Sequence, residues 1–123
     1  MKRYFGFWEK DGYKELLSDF STVYGMGMRA PDISDDDVLF AFYTSHCYGG
    51  RAFVLVSKNK ELFEVNGYHC SCNGLEDQWE LEPTSWASLK MRTDKGYEEV
   101  FESCDKEAFQ ALKLLVDTNM GEA

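Results

Sequence analysis

Between Val38 and Val65 the chain alternates short apolar runs with short polar breaks, and no other feature restricts its fold as strongly. Val38-Leu-Phe-Ala-Phe-Tyr43 is too short for a good helix and rich in residues that suit a pleated, buried surface. After the Tyr48-Gly49-Gly50 break, Arg51 to Ser57 reads as a second strand, Lys58-Asn59-Lys60 as a polar turn and Glu61 to Val65 as a third strand. Connections this short impose antiparallel pairing. Asn66-Gly67 and Asn73-Gly74 read as turns enclosing a looped excursion, after which Gln78 to Glu82 offers a fourth strand.

Helical periodicity flanks this sheet. Tyr13, Leu16, Leu17, Phe20 and Tyr24 fall on one helical face and predict a helix from Asp11 to Tyr24, stopped by Gly25. Phe5, Phe7 and Trp8, ahead of it, are expected in the core. Past Pro83, Thr84 can cap a short helix with Trp86 and Leu89 on one face. With Asp105 as N-cap, Ala108, Phe109, Leu112, Leu115, Val116 and Met120 form a continuous apolar stripe that Gly121 ends. The expected class is α+β: a three- to four-stranded, mostly antiparallel sheet with the N- and C-terminal helices packed on one face. A chain of 123 residues with 44% hydrophobic content supplies one core, so residues 1–123 are expected to form a single domain.

Charge narrows the choice of partner. Thirteen Lys and Arg against 22 Asp and Glu leave a net charge of −9, which repels phosphate and argues against direct binding of nucleic acid. The same field attracts basic surfaces. The acids group as Asp32, Asp35, Asp36 and Asp37; as Glu76, Asp77, Glu80 and Glu82; and as Glu98, Glu99, Glu102, Asp105 and Glu107. Each group reads either as a solvated face or as a contact surface for a basic partner, and Trp79, ringed by carboxylates, reads either as sheet packing or as an interface anchor. The candidate contact residues are Asp35, Asp36, Asp37, Glu76, Asp77, Trp79, Glu80 and Glu82. No apolar run approaches the length of a membrane span, and the first eleven residues lack the apolar core of a signal peptide. A cytoplasmic protein without a membrane partner is expected.

Three of the six cysteines and histidines lie in His69-Cys70-Ser71-Cys72, and His46-Cys47 forms a second pair. In a meander the two groups can meet at one edge of the sheet, where Cys47, His69, Cys70 and Cys72 offer a tetrahedral thiolate and imidazole set for zinc. Strand alternation puts Cys70 and Cys72 on one face and His69 on the other unless the segment bends. Buried reduced thiols are the competing reading. A cysteine nucleophile, Cys70 or Cys47 with His46 or His69 as base, lacks any flanking signature, and Glu76 with Glu80 is a carboxylate pair expected by chance among so many acids. The residues therefore predict a protein that is not an enzyme and has no cofactor apart from the zinc alternative.

From Val65 the chain reads Asn-Gly-Tyr-His-Cys-Ser-Cys-Asn-Gly-Leu-Glu-Asp-Gln-Trp-Glu-Leu-Glu-Pro-Thr-Ser-Trp-Ala-Ser-Leu-Lys90. Over roughly Val38 to Arg92 this resembles small proteins encoded by tailed bacteriophages and prophages, in which a similar block follows a hairpin and precedes a short helix. It departs from that pattern at Asn73 and Asp77, where an aromatic and a glycine are expected. The resemblance carries no activity over. It implies a protein made in a bacterial host cell during infection or from a prophage. Small acidic phage proteins often block a host or defence protein, and that analogy implies an inhibitor or adaptor that occupies the basic surface of a host or defence nucleoprotein, a complex of CRISPR type or another.

Overall fold

The computed structural model describes residues 2–24, 27–29, 32–46, 49–70, 75, 78–95 and 106–121, with the backbone alone at 22–24, 27–29, 45, 46, 49, 69 and 70. In chain order these form β1 (Tyr4–Gly6), α1 (Tyr13–Phe20), β2 (Thr22–Tyr24), β3 (Gly27–Arg29), a 3-10 turn (Asp35–Asp37), β4 (Val38–His46), β5 (Gly49–Lys58), β6 (Glu61–Cys70), β7 (Glu82–Pro83), α2 (Trp86–Lys95) and α3 (Lys106–Asn119). The class is α+β. The main sheet runs β1-β4-β5-β6-β7 and is antiparallel except for β1, which pairs parallel to β4; β2 and β3 make a separate hairpin.

The three strands read from sequence form the middle of the sheet. Asn59 and Lys60 both have positive φ, 54° and 68°, the conformation of a tight two-residue hairpin whose twist matches its strands, and Lys58 pairs with Glu61. The Asn66-Gly67 turn is corrected: β6 continues through it to Cys70, with Asn66 opposite Phe53 and Gly67 opposite Ala52. Gly67 is there for packing. A Cβ on it would meet Leu75 Cδ2 at 3.0 Å, Ala52 Cβ at 3.4 Å and Phe20 Cε1 at 3.5 Å. The offered fourth strand shrinks to Glu82–Pro83, opposite Glu64 and Phe63.

A bulge sorts the apolar residues of β4. Val38 pairs with Val56 but Phe40 with Leu55, so Leu39 is an extra residue and alternation restarts after it. Val38 and Ala41 consequently join Ala52, Val54, Val56 and Val65 under Leu16 and Phe20 of α1, with Trp8 and Leu75. Phe40 and Phe42 join Phe5, Phe53 and Leu55 under Leu89 of α2 and Ala108, Leu112 and Val116 of α3. The first and last helices therefore cover opposite faces of the sheet, not one face. Burial on both faces is what near-continuous apolar strands require.

The N-terminal segment differs in two further ways. α1 ends at Phe20 because Ser21 is extended (φ −74°, ψ 144°), and Tyr24 belongs to β2, not to the helix. Phe5 and Trp8 are core, but Phe7 is 57% exposed with its ring edge-on to Tyr43. Trp8 is fully buried, its ring 5.1 Å from that of Tyr43, and its indole N–H donates to Asp19 at 2.8 Å. At α2 the capping hydroxyl is that of Ser85, accepting from the Ser88 N–H, in place of Thr84. Residues 96–105, including Asp105, lie outside the described residues.

Candidate functional site

The segment before β7 is fastened to the sheet by side chains. The Gln78 carboxamide pairs with the backbone of Tyr68 as a strand residue would: Oε1 accepts from Tyr68 N–H at 2.8 Å and Nε2 donates to Tyr68 C=O at 2.6 Å. Trp79 and Leu81 pack toward the α1 face, the Trp79 ring edge-on to Phe20 with centroids 5.1 Å apart. Glu80 and Glu82 alternate outward and are exposed, their carboxylates making no hydrogen bond or ion pair among the described residues. Trp79 is thus a half-buried mount beneath two free carboxylates. Glu76 and Asp77 lie outside the described residues.

The other acidic group is largely used inside the fold. The Asp35 carboxylate accepts from Arg3 at 3.0 Å and from the Tyr4 hydroxyl at 2.5 Å. Burial first, and then this bond, push the Tyr4 hydroxyl pKa well above its ordinary value. Asp37 accepts from the Ser34 N–H at 2.9 Å and closes a capping box. Asp32 lies 3.5 Å from Lys58. Asp36, exposed, is left to face solvent.

The cysteine and histidine groups do approach one end of the sheet. Gly49 of β5 pairs with His46 on one side and with Cys70 on the other, and the next rung joins Ser45, Gly50 and His69. Cys47 and Cys72 lie outside the described residues. Among the described residues no group of three or more His, Cys, Asp or Glu is placed to hold a metal ion.

No protein-family model, curated protein or solved structure matches this chain. No helix among the described residues is long and apolar enough to cross a membrane.

Two features escape the sequence reading. Glu64, 7% exposed, is clamped by Arg92 of α2 through both carboxylate oxygens and accepts from Asn66 at 2.9 Å, while Asn66 accepts from Arg51 at 2.8 Å. Burial alone would raise its pKa; hydrogen bonds from Arg92, Thr84 and Asn66 outweigh that and hold it below the ordinary value. This network ties α2 to β5 and β6. The second feature is a groove of about 290 Å³ between α3 and the β1 edge, floored by Phe5, Leu39, Phe40 and Ala111 and crossed at its rim by the Lys2–Glu107 ion pair. Both arise from residues far apart in sequence, with no local motif to announce them.

Proposed function

We propose that this chain is a non-enzymatic acidic binding protein that covers a basic surface of a host or defence nucleoprotein, with the exposed strip at Glu80 and Glu82 as the contact. The outward pair of carboxylates at the sheet edge carries the reading. They stand on a segment held by Gln78 and Trp79, so their charge is presented without the ordering cost of a flexible loop. A net charge of −9 adds long-range attraction for a basic partner and repels nucleic acid. Asp36 is a further exposed acid, Glu76 and Asp77 belong to the same acidic stretch of sequence as Glu80 and Glu82, and Asp35 and Asp37 are already engaged. The resemblance to phage-encoded proteins supplies the setting, a bacterial host cell under infection.

The test is affinity capture from bacterial lysate, repeated after nuclease treatment and at raised salt. A basic nucleic-acid-handling protein that is retained after nuclease and released by salt is the expected result. Capture that vanishes with nuclease, or binding indifferent to salt, would contradict the proposal.

A further inference from the structure

Among the described residues β1 is the outer strand of the main sheet, and its free side is equipped to pair. The Ala41 N–H donates to the Arg3 C=O and the Phe7 N–H donates to the Tyr43 C=O, so Arg3, Phe5 and Phe7 turn their main-chain groups toward β4. In that ladder the N–H and C=O of Tyr4 and the N–H of Gly6 face the other way, and among the described residues none of them has a backbone partner. The Gly6 C=O, on the same side, accepts from the Glu9 N–H at 3.2 Å. Beside this edge lies the apolar groove under α3, with Phe5 in its floor and Leu114, 60% exposed, on its wall.

We infer that edge and groove together receive an extended basic segment of a partner protein, added as a strand outside β1 with one apolar side chain in the groove. Residues opposite one another in a sheet share a face, so a side chain opposite Phe5 enters on the side of α3, where the groove is. A volume of about 290 Å³ lies at the lower limit of small-molecule pockets, roughly 300–1,000 Å³, and suits a single anchoring side chain. Charge selects the neighbours of that anchor. Lys2 is shared between Glu9, at 2.8 Å, and Glu107, so this cluster at the rim keeps a net negative charge, and the whole chain carries −9. Lysine or arginine beside the anchor complements both, whereas a second copy of this chain brings its own −9 to the contact. The site stands at the opposite edge of the sheet from Glu82 and is independent of the contact proposed there.

The probe is the blocked peptide Lys-Thr-Lys-Leu-Lys-Thr-Lys, titrated into the isotope-labelled full chain and followed by NMR. Binding is expected to move the amide signals of Tyr4 and Gly6 and the methyl signals of Leu114. Affinity is expected to fall on the order of tenfold or more when the two lysines flanking leucine are N-methylated, when leucine is replaced by serine, when glutamate replaces every lysine, and in Leu114→Lys. No binding to the wild-type chain, shifts confined to other residues, or unchanged affinity in any of those four comparisons would overturn the assignment. Self-association of the free chain that Leu114→Lys abolishes would also overturn it, because a second copy would then hold the groove. Circular dichroism checks the fold of the variant. Should Leu114→Lys not fold, Ala111→Phe, which fills the groove from α3, decides: the same loss is expected, and a folded Ala111→Phe that binds like wild type would overturn the assignment.

Discussion

Gly6 closes β1 at φ +70°, and a Cβ there would stand 1.9 Å from the carbonyl oxygen of Tyr43. No side chain fits between two backbones that close. Gly6→Ala is expected to cost at least about 2 kcal/mol in urea unfolding, and a wild-type midpoint would contradict it. Glu64 makes a different demand: it is buried as a carboxylate because Arg92 reaches it from α2. Arg92→Met leaves that charge buried without its partner, at an expected cost of about 3 kcal/mol. The folded pKa of Glu64 lies below the unfolded one, so its stabilisation is complete above the unfolded carboxylate pKa and is lost as pH falls through the folded value. Glu64→Gln should therefore lower stability at neutral pH and flatten its decline below about pH 5, as read from denaturant curves across that range. The sequence reveals that these residues are special only in part. Asn66-Gly67 has the composition of a turn, but the contact of Leu75 on Gly67 and the bonds from Arg51 to Asn66 and from Arg92 to Glu64 are tertiary and lie beyond any local pattern.

Elements whose signals are local are the ones that sequence reading recovers. β4, β5 and β6 stand where their apolar runs lie, and α3 buries Ala108, Leu112 and Val116 from the predicted stripe. The hairpin at Asn59 and Lys60 is the tightest of these local features. Lys60 holds φ 68° with a Cβ, so Lys60→Gly is expected to stabilise by roughly 0.5–1 kcal/mol and raise the melting temperature by about 2–4 °C. An unchanged or lower melting temperature would show that lost backbone entropy outweighs the relieved strain. Where local periodicity misleads, a competing structure takes the residues. Tyr24 keeps the helical spacing of α1, yet the chain turns extended at Ser21 and spends 22–24 on a hairpin. β1 leaves no local signal, because three residues are too few to show alternation and its parallel partner lies more than thirty positions away.

At the level of the whole molecule, the sheet is covered on both faces, and the continuous apolar runs of β4 and β5 already carry that information. What they do not carry is which helix goes to which face; the bulge at Leu39 and the crossover from β1 to β4 settle that. The same architecture sorts the acids into those that hold the fold, such as Asp35, Asp37 and Glu64, and those that face outward. Clustering in sequence does not distinguish them, because the distinction lies in where Arg3, Tyr4 and Arg92 arrive. The outward pair at Glu80 and Glu82 is the feature on which the proposed function stands. Its most direct test is the affinity of the captured partner for wild type and for the Glu80→Lys, Glu82→Lys double variant at low and raised salt. The account predicts a loss on the order of tenfold or more at low salt, shrinking as salt screens the contact, with the variant's fold intact by circular dichroism. Equal affinities at low salt would contradict it.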